Sequence, residues 1–171
     1  RIVGSFLKVQ LSKFAEKRSM TSPPLRCLSC EDPSLIFVYG SNELGHHGAG
    51  AALHAYVRHG AKMGQGFGLA GRSFGVPTKG PNLKKALTLP TIQHYVRALN
   101  RFANHVPDRR FFVTRLGTGL AGYTDEQIAP FFEETPANCI LPERWIEILG
   151  RNCDPAFAHY PMLDEMPRET H

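Results

Sequence analysis

The sequence predicts an α/β fold with a mostly parallel central sheet, and three observations lead to this prediction. A continuous apolar run, Leu35–Tyr39, is typical of a strand buried on both faces, and it stops at Gly40. Residues 91–105 carry a helical periodicity. Glycine-rich loops over residues 40–50 and 117–123 each separate a predicted strand from a predicted helix. Strands that alternate with helices in this way favour parallel pairing.

We expect one domain over residues 35–150, because a chain of 171 residues normally forms a single core. Residues 1–34 begin with Arg and are predominantly basic, and we expect an N-terminal extension outside the fold. A transit-like peptide, a translated upstream region and an expression remnant are the alternatives for this segment. Residues 151–171 are rich in proline and charge, which predicts a loosely packed C-terminal tail.

The charge distribution favours an anionic small-molecule ligand. The 20 Lys and Arg residues exceed the 15 Asp and Glu, and residues 1–30 carry the whole of the +5 excess. In the rest of the chain, residues 31–115 carry a net positive charge, and residues 116–171 carry a net negative charge of the same size. This mixed sign argues against a nucleic-acid partner. Since no stretch approaches the roughly 20 apolar residues of a membrane span, we also expect no membrane partner.

After the first apolar run, the sequence of the first half of the domain predicts a helix, an irregular segment and a short strand, in that order. Residues 51–57 are alanine-rich and predict a helix that Gly60 ends. The glycine-rich residues 60–71 predict loop or irregular turn. Residues 73–77 predict a short strand, which Pro77 closes.

The most regular periodicity lies in residues 91–105. Apolar side chains recur there at helical intervals, which places them on one face of a helix. They are Ile92, Tyr95, Val96, Leu99, Phe102 and Ala103. A second, short helix is predicted around Trp145, whose indole we expect in the core.

The second half of the domain predicts two more strands and one more helix. Residues 111–116, which begin with the apolar Phe111, Phe112 and Val113, predict a strand, and residues 139–141 predict a brief last strand. Thr124, with Gln127 three residues on, has the spacing of a capping box. This pair predicts a helix over residues 124–132.

The first glycine loop, residues 40–50, is a candidate ligand site because it joins a buried strand to a helix. Open α/β sheets bind ligands at this point, and the unpaired N–H groups of a helix start favour phosphate. The predicted contacts are Gly40, Ser41, Asn42, Gly45, Gly48, Ala49, Gly50 and Ala51. The alternative is a tight turn whose small residues serve packing, with Asn42 capping its own turn.

The second glycine loop, residues 117–123, also follows a strand and precedes a helix. Its closely spaced glycines predict a set of backbone amides suited to a pyrophosphate. The predicted contacts are Gly117, Thr118, Gly119, Leu120, Ala121, Gly122 and Tyr123. Asp125 and Glu126 follow in the first helical turn, where we expect them to weaken the helix dipole. We therefore expect the loop amides, rather than the helix end, to hold the anion.

Together the two loops resemble those of the macrodomain family. Ser41-Asn42 is similar to the family's Asn-containing strand end, and Gly48–His54 to its glycine-rich loop and helix. Thr118–Tyr123 is similar to the family's phosphate loop, and Phe74–Lys79 stands in the place of the intervening strand. The resemblance spans residues 35–142 and is closest to divergent small bacterial and phage members. It implies a three-layer α/β/α macro-like domain that binds ADP-ribose, with hydrolysis of an ADP-ribose linkage in some members.

Binding carries over from this resemblance better than catalysis. The Gly48–Ala52 segment holds no acidic residue, where several hydrolytic macrodomains place an aspartate. If the protein is a hydrolase, Asn42 and His47 are the candidate catalytic residues, as water or ribose positioners. The alternatives are a nucleotide-phosphate hydrolase without ADP-ribose specificity and a binding-only module that sequesters a nucleotide signal.

The remaining candidates are basic residues and cysteines. Lys79 follows a strand and is the predicted side-chain contact to phosphate, whereas Arg72, Lys84 and Lys85 are candidates for the mouth of the site. The Cys27–Cys30 spacing is half of a zinc site without its second half. We therefore expect no metal and no cofactor, and we expect reduced cysteines in a cytoplasmic protein. The oligomeric state is left open.

Overall fold

The computed structural model describes residues 32–152. Within this range, five strands form one sheet: β1 (Leu35–Asn42), β2 (Gly68–Ala70), β3 (Ser73–Lys79), β4 (Arg110–Val113) and β5 (Cys139–Ile140). The α-helices of the same range are α1 (Gly50–His59), α2 (Leu89–His105), α3 (Asp125–Ile128) and α4 (Glu143–Ile148). A 3-10 helix, Ala129–Phe132, follows α3. Most of the predicted N-terminal extension, the Cys27–Cys30 pair and nearly all of the predicted tail lie outside the described residues.

The sheet is mixed but mostly parallel, as the sequence predicts. Its strand order is β2-β3-β1-β4-β5. Strand β1 pairs in parallel with both β3 and β4, and β4 pairs in parallel with β5. Only the β2–β3 pair within this sheet is antiparallel. The α/β prediction is therefore confirmed at this level.

The central strand β1 is buried on both faces because its successive side chains enter two different hydrophobic clusters. Ile36 and Val38 belong to the larger cluster, which includes Ile92, Val96 and Leu99 of α2. Phe37 and Tyr39 belong to the smaller cluster, together with Ala52 and Ala55 of α1. This alternation explains the continuous apolar run, since a strand covered on both sides has no polar face. Trp145 is fully buried in the larger cluster, which confirms its predicted place in the core.

Pro77 does not close β3, which continues beside β1 to Lys79. Besides this, and shifts of one or two residues at other ends, four features differ from the sequence prediction. Gly40 does not end β1, which continues to Asn42 in register with β3. Strand β4 ends at Val113 rather than at residue 116. The α-helical part of the predicted helix over residues 124–132 stops at Ile128 and becomes a 3-10 helix. Pro130 has no backbone N–H, so it cannot donate the hydrogen bond that would continue the α-helix.

The fourth difference is β2, which lies inside the segment predicted as loop. Three residues are enough for an antiparallel pair with β3, in which Gly68 lies opposite Gly75. Such a short edge strand carries too few residues to show a period in the sequence.

Across residues 32–152, the structure contains no helix that is both long enough and apolar enough to cross a membrane.

Candidate functional site

A cleft of about 530 Å³ lies where β1 and β4 end, and both glycine loops line it. Since β1 and β4 are parallel neighbours, their carboxyl ends lie side by side, with Val38 opposite Val113. The volume is in the range of small-molecule sites. The residues that line it are Gly40, Ser41, Asn42, His46, Gly48, Ala49, Gly50, Ala51, Ala52, Thr78, Lys79, Leu83, Thr114, Arg115, Leu116, Gly117, Thr118, Gly119, Leu120 and Ala121.

The two loops contact each other at Gly40. A Cβ added to Gly40 would lie 3.3 Å from the Cβ of Leu116 and 3.5 Å from the nitrogen of Gly117. The close approach of the second loop, not an unusual backbone angle, therefore favours glycine at this position. This contact brings together two segments that are more than 70 residues apart in the sequence.

Most of the predicted contact residues line the cleft, but three do not. Gly45 turns away at φ 68°, and its Cα packs against the backbone of Gln65. The hydroxyl of Tyr123 donates to the carbonyl of Leu87 at 2.5 Å, so the phenol holds the residue 80–88 connection against the second loop. Gly122, at φ 77°, closes the turn by donating to the carbonyl of Gly119 at 2.9 Å. The direct ligand contacts predicted for these three residues do not agree with their positions.

Asn42 lines the cleft, but its side chain is engaged within the first loop. Its Nδ2 donates to the carbonyl of His46 at 2.6 Å, and its Oδ1 accepts the N–H of His46 at 3.0 Å. The backbone carbonyl of Asn42 also accepts the N–H of Gly45, at 2.9 Å. The sequence left two roles open for Asn42, ligand contact and capping of its own turn. These bonds favour the capping role.

His47 lies behind the first loop, fully buried, and is not among the residues that line the cleft. Its Nε2 is 3.0 Å from the carbonyl of Lys62 and 3.3 Å from the hydroxyl of Tyr39. Burial lowers the pKa of this imidazole, with the backbone of Lys62 and Gln65 opposing the effect. Burial also raises the pKa of Tyr39 to about 12. The predicted role of His47 as a water or ribose positioner is not consistent with this location, because other atoms separate it from the cleft.

Backbone amides in both loops are available to a ligand. Within the described part of the chain, the N–H groups of Gly119, Leu120 and Ala121 donate no hydrogen bond. The same is true of Gly48, Ala49 and Gly50 in the first loop. The two sets belong to residues that line the same cleft. Amides without internal partners, grouped at a strand end and a helix start, are the arrangement that binds anions.

The carboxylates after the second loop are paired with cations rather than directed at the cleft. Asp125 accepts from both Nε (2.9 Å) and Nη2 of Arg115, and from Nε1 of Trp145 at 2.6 Å. Glu126 pairs with Arg144 at 3.0 Å. Arg115 and, to a smaller extent, Trp145 hold the pKa of Asp125 below its ordinary value. Both carboxylates are thus largely neutralised by cations, so they weaken the helix dipole less than the sequence predicts.

The ionisable side chains that line the cleft are all basic: His46, Lys79 and Arg115. Lys79 lines the cleft as the last residue of β3, opposite Asn42 of β1. The other predicted cations, Arg72, Lys84 and Lys85, are not among the lining residues.

Sequence reasoning missed several lining residues, including Thr78, Leu83 and Thr114. Thr78 and Thr114 stand at the ends of β3 and β4, and that position is the signal that could have found them. The hydroxyl of Thr114 is buried and has no hydrogen-bond partner in the described chain. Leu83 has a left-handed backbone, with φ 58°, in a tight turn after β3. No sequence signal marks a leucine for that conformation.

No group of three or more His, Cys, Asp or Glu side chains is placed to hold a metal ion anywhere in residues 32–152. Comparisons of the chain with protein-family models, with curated proteins and with solved structures find no match.

Proposed function

We propose that this protein binds a nucleotide diphosphate, such as ADP-ribose, in the cleft between its two glycine loops. The observation that carries the proposal is that two sets of backbone amides with no partner in the described chain, Gly48–Gly50 and Gly119–Ala121, belong to residues that line one cleft. Two groups of N–H donors suit a ligand with two linked phosphates better than one with a single phosphate. The exclusively basic ionisable lining supports the same class of ligand.

A three-layer macro-like architecture is part of the same proposal. It is supported by the two hydrophobic clusters, one containing α1 residues and one containing α2 residues, to which alternate side chains of β1 belong. The placement of Ser41-Asn42 and Thr118–Ala121 around the cleft also agrees with the resemblance of these motifs to macrodomain loops. We further propose a cytoplasmic location, where nucleotides of this kind are present.

The site supports binding more directly than hydrolysis. Of the two candidate catalytic residues, Asn42 is committed to the His46 peptide and His47 is buried behind the loop. A general base must reach the proton that it removes, directly or through one water. The geometry therefore favours a binding module over either of the hydrolases that the sequence left open.

Calorimetric titration with ADP-ribose, ADP, NAD and AMP tests the proposal. The variants are Gly119→Asp and, as the charge-matched control, Asn104→Asp. Gly119 lines the cleft, has an ordinary backbone angle and would present an added side chain to open space. Asn104 is exposed on α2 and is not among the residues that line the cleft, so its replacement adds the same charge away from the loops.

We expect ADP-ribose and ADP to bind the wild-type protein more tightly than AMP. Gly119→Asp should weaken this binding at least about tenfold, about 1.4 kcal/mol, because it places a carboxylate among the amides. Asn104→Asp should have a smaller effect. Binding of AMP as tight as that of ADP would contradict the diphosphate preference, and no binding of any nucleotide would contradict the proposal itself. Release of ADP-ribose from an ADP-ribosylated protein would show that hydrolysis occurs after all.

A further inference from the structure

The first glycine loop is held from behind by residues 61–66, which we call the 61–66 segment. The N–H of Gly64 donates to the carbonyl of Gly45 at 3.0 Å, and the hydroxyl of Ser41 donates to the carbonyl of Gly66. The backbones are so close that a Cβ on Gly45 would lie 2.2 Å from the nitrogen of Gln65. The position of the first loop is therefore set by this segment.

His47 is a second side chain that joins the first loop to the 61–66 segment. The carbonyl of Lys62 can only accept, so Nε2 of His47 carries the proton and donates to it. The backbone N–H of His47 lies 3.4 Å from the sulfur of Met63, in the same segment. On its other side, the imidazole packs edge-on against the ring of Tyr39, with centroids 5.4 Å apart.

We propose that His47 is a positioning residue, whose buried imidazole connects the first glycine loop to the 61–66 segment and so directs the amides of Gly48, Ala49 and Gly50 into the cleft. Its place in the chain supports this, because His47 immediately precedes these three residues. The inference rests on the proposed function for its ligand, but the connection itself can be measured without one.

The neutral imidazole suits this role. Nδ1 is buried and has no hydrogen-bond partner within residues 32–152, so a second proton there would place a charge in a buried site. Burial opposes that charge most strongly, and the neighbouring His46 opposes it as well. The backbone of Lys62 and Gln65 favours the charge without outweighing burial, and the phenol of Tyr39 on β1 lies beside the ring.

The test compares His47→Gln with His47→Asn. Both variants carry the same amide, but only the longer Gln side chain can place its N–H₂ group where Nε2 of His47 lies and donate to Lys62. Tyr39→Phe is a third variant, because it removes the longer, 3.3 Å contact to His47 and leaves the Lys62 bond intact. Two quantities are measured for each: the affinity for ADP-ribose, and the hydrogen exchange of individual amides in the free protein.

The informative amides are those of Gly64 and His46, which hydrogen-bond to Gly45 and Asn42, with Val38 in β1 as the internal reference. We expect His47→Asn to accelerate exchange at Gly64 and His46 but not at Val38, and to weaken ADP-ribose binding about tenfold. His47→Gln and Tyr39→Phe should stay within about threefold of wild type. If His47→Asn shows the same amide exchange rates and the same affinity for ADP-ribose as the wild-type protein, the inference is overturned.

The two proposals fail in different ways. If wild type binds no ADP-ribose, the proposed function fails, and the exchange at Gly64 alone decides the role of His47. If His47→Asn does not fold, His47→Gln decides: retained affinity supports the inference. A tenfold loss in His47→Gln with normal protection at Gly64 overturns it, because the imidazole would then act by something other than the connection.

Discussion

The side chain of Asn42 bonds to both sides of His46. Its Nδ2 donates to the His46 carbonyl at 2.6 Å, and its Oδ1 accepts the His46 N–H at 3.0 Å. One planar amide thus closes the turn in which β1 gives way to the first glycine loop. An aspartate of the same shape lacks the donor, so only asparagine satisfies both groups.

Asn42→Asp should therefore destabilise the protein. The substitution places a carboxylate oxygen against the His46 carbonyl in a buried position, which we expect to cost about 1–3 kcal/mol in the free energy of unfolding. Urea unfolding measures this. Asn82→Asp is the matched control, because Asn82 is exposed and its Oδ1 accepts the backbone N–H of Lys85 at 3.0 Å. An aspartate oxygen can accept the same hydrogen bond. Equal stability of the two variants would contradict the role assigned to Nδ2.

Gly66→Ala should also destabilise the protein, for a steric reason. An added Cβ would lie 2.0 Å from the carbonyl oxygen of Asn42, although Gly66 does not have a left-handed backbone angle. We expect a loss of about 1–3 kcal/mol, measured by thermal unfolding. Gly119→Ala, which meets no atom within 4 Å, should leave stability nearly unchanged. A Gly66→Ala protein as stable as Gly119→Ala would mean that β1 and the 61–66 segment do not approach this closely.

Thr114→Val should be neutral or stabilising. The buried hydroxyl of Thr114 has no hydrogen-bond partner within the described chain, so replacing it with a methyl group removes an unsatisfied polar atom at nearly constant shape. We expect the free energy of unfolding to be unchanged or to rise by up to about 1 kcal/mol.

Thr135→Val is the matched comparison for Thr114. Thr135 is equally buried, but its hydroxyl donates to Oδ1 of Asn100 at 3.1 Å. Its replacement should cost about 1–2 kcal/mol, because the Asn100 oxygen loses its partner. A larger loss for Thr114 than for Thr135 would show that the Thr114 hydroxyl has a partner.

Asp125→Asn should lower stability at neutral pH and change the response to acid. Arg115 and Trp145 hold the pKa of Asp125 below its ordinary value of 3.8, so the unfolded chain takes up the proton more readily than the folded one. The stability gained is fully present above about pH 5 and is lost as pH falls through and below 3.8.

Urea unfolding between pH 7 and pH 3 tests this expectation. We expect Asp125→Asn to cost about 2 kcal/mol at pH 7 and to show a shallower decline in acid than wild type. Glu126→Gln, at an exposed ion pair with Arg144, should match wild type closely. Parallel acid profiles for wild type and Asp125→Asn would contradict the assignment.

Sequence reasoning found the walls of the cleft because their position follows from topology. A buried apolar run such as Leu35–Tyr39 predicts a central parallel strand, and parallel neighbours end at the same edge of the sheet. Loops that follow β1 and β4 must then meet, wherever their residues stand in the chain.

The same reasoning could not assign the side chains within the loops. His46 lines the cleft and its neighbour His47 is buried, yet no helix or strand period operates there to distinguish two adjacent histidines. The 61–66 segment gave no signal either, because its glycines serve backbone contacts with a distant part of the chain. Tertiary packing sets such contacts, and a glycine is the only sign of them in the sequence.

The strand that comes first among the described elements lies at the centre of the sheet. During synthesis, β1 can pair on one side only after β3 has been made. It can pair on the other side only after β4, which begins at Arg110, has been made. Long-range parallel pairing of this kind is slow to form. A chain released before Arg110 would leave one edge of β1 unpaired and one wall of the cleft missing, so the cleft can form only late in synthesis.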